Sequence, residues 1–212
     1  MLLAAILTAP ASAASKPHVI NFGKWTPVQW IPATNADDKP LPVKVRALLV
    51  DGRLKEFVTG APHEITERLF VVRRMFRLND GLPDDPAPKW QWQRGGWLLV
   101  DRLTGRISPL NLPDLDVTYS PTTWYRDYVA YCGLSDDSKK VFAVVAQLNR
   151  RKPLLKKPLP AVLPDDAAPD SACPAPTWQR APTRVSFESQ GEKQTFAIRG
   201  QVADLIDDSE DE

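Results

Sequence analysis

The fold is predicted most clearly by residues 128–148, which read YVAYCGLSDDSKKVFAVVAQL. Two apolar runs flank a charged turn at residues 136–139, a pattern typical of a β-hairpin. In the second run every residue from Val141 to Ala146 is apolar, which predicts a strand buried on both faces. Parallel sheets bury strands in this way with crossover helices, and we find no convincing helical stretch of that length. We therefore expect antiparallel sheets that stack on one another.

Three further hairpins are predicted, each with two apolar-bearing runs around a turn that contains Gly: residues 43–59 around Asp51-Gly52, residues 97–110 around Gly105, and residues 184–198 around Gln190-Gly191. Asp51-Gly52 favours a type I′ turn, because both central residues of that turn need positive φ. Leu69 to Val72 is a second run of consecutive apolar residues. The expected fold class is all-β, with antiparallel hairpins stacked as an irregular propeller-like or layered β domain.

Two of the turns carry patterns that extend beyond a simple hairpin. Residues 134–145 read LSDDSKKVFAVV, and residues 100–106 read VDRLTGR. The first is similar to the Ser-Pro-Asp-Gly-Lys-Lys-apolar pattern of TolB-like and WD40-like β-propeller repeats, with Asp136 for the usual Pro and Ser138 for the usual Gly. The second resembles the apolar-Asp-x-x-Thr-Gly turn near the end of propeller blades. This resemblance implies blade-like stacking and says nothing about function.

The first thirteen residues, MLLAAILTAPASA, are typical of a secretory signal peptide. Their apolar run is too short to span a bilayer, and it leads into Ala11-Ser12-Ala13, a small-residue cleavage pattern. No Lys or Arg precedes the run, which leaves open a retained anchor, a buried N-terminal segment or a start further upstream. We predict a periplasmic or secreted protein with no membrane span after signal cleavage.

Proline accounts for 21 of the 212 residues and is concentrated in a few segments. After the signal peptide at residues 1–13, we predict a Pro-rich arm at residues 14–42 and an antiparallel β domain at residues 43–200, with a Pro-rich insertion at residues 153–182. Residues 201–212 are expected to form an acidic, disordered tail. The formal net charge of +1 argues against a generally basic nucleic-acid binder.

Cys132 and Cys173 are the only cysteines. Export to an oxidising compartment favours a disulfide between them. The alternative is a buried thiol at Cys132 with an unrelated Cys173 on a Pro-rich loop. A nucleophile pair of Cys132 with His63 also stays open, although nothing local marks this thiol as reactive.

The sequence predicts no cofactor and no metal site. Two distant histidines and two distant cysteines give no zinc-ligand spacing. Adjacent aspartates such as Asp136-Asp137 are typical of turns, whereas the two carboxyls of a glycosidase face each other across a cleft.

Two aromatic segments are candidate ligand-binding sites: Trp124, Tyr125, Arg126 and Asp127 in one, and Trp90 and Trp92 in the other. Residues 90 and 92 share one strand face, where exposed indoles would hold sugar rings. The structural alternative has Trp124 and Tyr125 sealing a core edge, and Trp90 and Trp92 buried while Gln91 and Gln93 face water.

These features favour an exported, non-enzymatic binding or scaffold protein of the cell envelope, presenting β-domain loops to a protein or glycan partner. Two alternatives stay open: a hydrolase acting on envelope material, and a structural subunit of an envelope complex.

Overall fold

The computed structural model describes residues 16–31, 40–84, 86–118, 120–137, 139–160, 173–200 and 202–206. These residues form fifteen β-strands in three sheets. In these ranges there is no helix long and apolar enough to cross a membrane. The all-β fold class is therefore confirmed.

The first sheet contains seven strands: β1 (Ile20–Phe22), β2 (Thr26–Trp30), β3 (Leu41–Val50), β4 (Arg53–Glu64), β5 (Leu69–Asn79), β6 (Trp90–Asp101) and β7 (Ile107–Pro109). Strands β2 to β6 pair in sequence order, and β6 also pairs with β2 through one parallel bridge between Trp92 and Trp30. These five strands therefore form a closed ring. The core of this sheet contains six buried residues: Leu48, Val58, Phe70, Val72, Leu98 and Val100.

The second and third sheets are four-stranded antiparallel meanders. The second contains β8 (Thr122–Tyr125), β9 (Tyr128–Leu134), β10 (Val141–Gln147) and β11 (Leu155–Leu159); the third contains β12 (Thr177–Gln179), β13 (Arg184–Ser189), β14 (Glu192–Arg199) and β15 (Val202–Ile206). Ala143 and Val145 of β10 share a core with Phe187 of the third sheet. Val144, on the opposite face of β10, packs in a separate cluster with Trp124.

The strand β10 is thus buried on both faces, as its apolar run predicts. Its two faces contact different partners, which is how stacked antiparallel sheets bury a strand completely. The stacking of whole sheets is observed, while their arrangement as propeller blades stays a prediction.

The predicted turns at Asp51-Gly52, Gly105 and Gln190-Gly191 are confirmed, because these residues have the positive φ that such turns need. Asp51 and Gly52 have φ of 51° and 74°, as a type I′ turn needs. Gly105 has φ 64°, and Gln190 and Gly191 have φ of 53° and 80°. Local turn chemistry therefore sets the register next to these turns, and in the first hairpin a β-bulge between Leu48 and Leu49 then shifts it.

The Pro-rich segments contribute more strands than the sequence predicts. Strands β1 and β2 lie in the predicted arm, and β11 and β12 lie in the predicted insertion. Prolines are tolerated where a strand is paired on one side only. Pro27, Pro42 and Pro158 occupy such positions, since each has a partner in one neighbouring strand only.

Residues 202–206 of the predicted tail instead form a strand, because β15 pairs with β14. Its sequence VADLI is mostly apolar, and Ala203 packs against the core of the second and third sheets. The predicted signal peptide at residues 1–13 and the acidic residues 207–212 lie outside the described residues.

A disulfide joins Cys132 of β9 to Cys173, and both residues are buried in the core between the second and third sheets. The bond is the pairing favoured by the sequence. With its sulfur in this bond, Cys132 is neither a free buried thiol nor the nucleophile of a pair with His63.

Candidate functional site

The first candidate segment forms the tight hairpin between β8 and β9. Trp124 and Tyr125 end β8, and Arg126 and Asp127 form the turn. Arg126 has φ 53°, in the left-handed region that few non-glycine residues adopt. The segment is therefore a fixed corner of the second sheet rather than an open loop.

Trp124 lies between the first and second sheets. Its ring stacks on His63 with 5.8 Å between ring centroids and meets Trp97 edge-on at 5.3 Å. It is partly buried and also packs against the buried cluster of Val129, Tyr131, Val144 and Ala146. The indole Nε1 is buried and makes no hydrogen bond within the described residues. We call Trp124, His63 and Trp97 the closed cluster.

The polar groups of the same turn are used inside the protein. His63 Nε2 donates to the carbonyl of Arg126 at 2.8 Å, since a carbonyl oxygen only accepts. The Asp127 carboxylate accepts from the Gln147 side-chain amide at 2.8 Å. Tyr125 contacts Trp178 of the third sheet, with 5.6 Å between centroids. Trp124, Tyr125 and Asp127 thus contact other parts of the protein, as the structural alternative has it. The Arg126 side chain is exposed and lies over the Tyr125 ring, with 5.4 Å to the centroid.

The second candidate segment is open. Trp90 and Trp92 lie on one face of β6, as the strand period of two predicts, and Trp90 is 55% exposed. The alternative in which both indoles are buried is therefore wrong for Trp90. Phe57 meets Trp92 edge-on at 5.2 Å. The guanidinium carbon of Arg77 lies 5.4 to 5.6 Å from the centroids of all three rings. We call Phe57, Arg77, Trp90 and Trp92 the aromatic platform.

Strand register explains why these side chains meet. Arg77 of β5 is directly opposite Trp92 of β6, and Asn79 is opposite Trp90. Directly opposed residues project from the same side of a sheet. Trp92 is also the residue that bridges to Trp30, which is 4% exposed, so the platform begins where the ring of strands closes.

The loop between β5 and β6 is held at its base next to the platform. The Asn79 side-chain oxygen accepts from Gly81 N at 3.1 Å and from Lys89 N at 2.8 Å. Two apolar side chains near this end are also well exposed, Leu78 at 51% and Leu82 at 73%. This end of the first sheet therefore presents apolar surface on a fixed backbone, a feature of binding surfaces.

Several carboxylates with a lowered pKa form hydrogen bonds in or beside turns. The guanidinium of Arg102 binds both oxygens of Glu64, at 2.7 and 2.8 Å, and lowers the pKa of that carboxyl. Hydrogen bonds from Arg68 lower the pKa of Asp101, and a hydrogen bond from Ser135 lowers that of Asp137. Within the described ranges, no three His, Cys, Asp or Glu side chains are grouped as metal ligands.

Phe57 and Arg77 are the platform residues that the sequence reasoning missed. Ten residues separate β5 from β6, so no short turn fixes which residue of β5 opposes Trp92. The alternation of residues 90–94 shows which side chains share a face but identifies no partner on the next strand.

No protein-family model matches this chain, and no curated protein or solved structure matches it.

Proposed function

We propose that this protein is an exported, non-enzymatic binding module of the cell envelope that holds a glycan on the aromatic platform. The observation that carries the proposal is the exposed indole of Trp90, set on the same sheet face as Trp92 and Arg77. An indole offers a flat apolar ring with a polar edge, which suits a sugar ring because its C–H groups form an apolar face between hydroxyls.

The platform is built on strands, and this favours binding. Trp92 is fixed by Phe57 and by the bridge to Trp30, so the surface needs little ordering when a ligand arrives. A surface that is already ordered retains more of its contact energy as affinity. The predicted signal peptide and the disulfide support export to an oxidising compartment.

The experiment is a polysaccharide screen with the purified protein and two matched tryptophan variants. We expect Trp90→Ala to abolish binding. Trp25→Ala is the control, because Trp25 is also exposed, at 43%, and also contacts an arginine, Arg46, away from the platform. Loss of binding in Trp25→Ala with retention in Trp90→Ala would move the site away from the platform.

A second readout separates a glycan from a protein partner. The tagged protein is purified from native envelope before and after treatment with glycan-degrading enzymes. If the screen finds no glycan and Trp90→Ala instead removes one co-purifying protein, the glycan proposal is wrong and the platform is a protein-binding surface. The hydrolase and assembly-subunit hypotheses stay predictions from the sequence.

A further inference from the structure

The aromatic platform contains a charged group as well as rings, and this inference rests on the proposed glycan-binding function. We infer that the platform selects acidic saccharides: the sugar ring lies on Trp90, and the guanidinium of Arg77 binds the sugar's carboxylate. The ligand class is thus a uronic-acid-containing glycan rather than a neutral one.

Arg77 differs from the carboxylate-paired arginines of the first sheet. Arg46 also lies over two rings, those of Phe22 and Trp25, but its side chain is half-buried. Arg68 pairs with Asp101, Arg74 with Glu56 and Arg102 with Glu64. Arg77 is exposed and contacts the rings of Phe57, Trp90 and Trp92. In the part of the chain that the structure describes, no carboxylate pairs with it. Its five N–H donors are therefore available to a ligand.

The three rings hold the guanidinium in place without using its hydrogen bonds. A cation near an aromatic face is attracted by the ring quadrupole, while the N–H groups lie at the edge of the guanidinium plane. This geometry leaves a planar fork that matches the two oxygens of a carboxylate. Because the ring contacts restrict the Arg77 side chain, a bidentate contact loses less side-chain entropy than it would with an arginine that has no such contacts.

The two paired strands place no carboxylate beside Arg77, while Asp116 lies close enough to attract the buried Arg73. In the paired stretches 73–79 and 90–97, register places Arg73, Arg77 and Arg94 on the platform side and no Asp or Glu. Arg73 and Arg94 donate to the carbonyls of Val117 and Thr118, deeper in the structure. Arg77 is the exposed cation of the three.

The same features favour a saccharide over single-stranded nucleic acid. Nucleic-acid grooves combine several stacking rings with a basic track along the backbone. Here Trp90 is the exposed indole of the platform, with one exposed arginine beside it. One ring and one guanidinium fit one sugar with one carboxylate.

The experiment compares acidic glycans with their neutral esters. Isothermal titration is done with polygalacturonate, alginate and hyaluronan oligosaccharides and with the methyl ester of each. We expect at least one acidic oligosaccharide to bind wild-type protein about tenfold more tightly than its ester, the scale of a charge-assisted hydrogen bond. Arg77→Gln should bind acid and ester equally, at the ester's wild-type affinity. Trp90→Ala should lose both.

The control is Arg150→Gln, which removes an exposed arginine from the β10–β11 turn, remote from the platform in sequence and in a different sheet. It should keep the wild-type preference for acid over ester. Thermal unfolding of Arg77→Gln is measured as well, and its midpoint should match that of wild type if the fold is intact.

The outcomes separate this inference from the function on which it rests. If acid and ester bind equally well, or if Arg77→Gln keeps the preference, the selection of acidic sugars is overturned while glycan binding through Trp90 stands. If no acidic or neutral saccharide binds wild-type protein, the proposed function fails as well. Binding of a single-stranded oligonucleotide that is lost in Arg77→Gln would overturn the saccharide assignment.

Discussion

The closed cluster and the aromatic platform are built from the same residue types with opposite outcomes. Both place tryptophans on strands, close to an arginine or histidine. In the closed cluster, Trp124 is covered by His63 and Trp97, and its turn bonds to His63 and Gln147 through the Arg126 carbonyl and the Asp127 carboxylate. In the platform, Trp90 stays exposed, and within the described residues the Arg77 guanidinium contacts the rings of Phe57, Trp90 and Trp92 and pairs with no carboxylate. Burial and pairing, rather than composition, distinguish an internal joint from a binding surface.

Removing the disulfide is the largest perturbation expected on the closed side of this comparison. The bond joins residues separated by 41 positions, and chain-entropy arguments give about 4 kcal/mol for a loop of that size. We expect Cys132→Ala with Cys173→Ala to lower the free energy of unfolding by about this amount, measured by urea denaturation. The first sheet contains neither cysteine, so the folded variant should keep the wild-type ligand affinity of the platform. A weaker affinity in the folded variant would show that the disulfide-linked core and the aromatic platform are energetically coupled.

Truncating Trp124 tests the closed cluster directly. Trp124→Ala should lower the free energy of unfolding by about 3 kcal/mol, because it opens a gap between the first and second sheets. Trp124→Phe is the matched control. It keeps a ring and removes an indole N–H that has no partner within the described residues, so its cost should stay below about 1.5 kcal/mol. If both variants lose the same free energy of unfolding, the ring that phenylalanine keeps does not replace the packing of the indole, and the expected role of ring packing at Trp124 is wrong.

The parts of the fold predicted correctly are those with local causes. Asp51-Gly52 and Gln190-Gly191 fix hairpins because two residues determine a turn. Consecutive apolar residues in β10 predict burial on both faces without reference to the rest of the chain. The strands in Pro-rich segments were missed because proline content alone does not distinguish a loop from a strand paired on one side. The bridge between Trp30 and Trp92 depends on distant segments, and no local signal predicts it.

The candidate site also has features that the local sequence predicts and features that depend on distant segments. The shared face of Trp90 and Trp92 follows from the strand period. The coverage of Trp124 by His63 and the position of Arg77 beside Trp92 depend on register between separate strands. For this reason the sequence predicts both aromatic segments as candidate ligand-binding sites and does not show which of them is exposed.

Acid should lower the free energy of unfolding through the ion pair of Glu64 and Arg102, since Glu64 directly follows His63 of the closed cluster. Arg102 lowers the pKa of Glu64 in the folded state, so this pair stabilises the fold above the ordinary Glu pKa of about 4.3. That stability is lost as the pH falls through the lowered folded pKa. Glu64→Gln should therefore lose less unfolding free energy than wild type between pH 7 and pH 3. The difference should be below about 1 kcal/mol, because the pair is exposed.

Glu67→Gln is the control for this titration. The Glu67 side chain lies in the same turn and has no hydrogen-bond or ion-pair partner within the described residues. Because Glu67→Gln keeps the contact between Glu64 and Arg102, it should keep the loss of stability in acid that Glu64→Gln reduces. A Glu64→Gln curve that also matches wild type would show that the contact with Arg102 contributes nothing in solution.

The smallest effect on stability is expected at the residue proposed to matter most for binding. Trp90→Ala removes an exposed indole and one contact with Arg77, so the free energy of unfolding should change by no more than about 0.5 kcal/mol. Acrylamide quenching of tryptophan fluorescence gives a second measurement, in which the variant should lose part of the quenchable emission while Trp124→Phe retains it. A loss of stability in Trp90→Ala comparable to that in Trp124→Ala would mean that the platform is a packed structural element, and its exposed ring would no longer argue for a ligand.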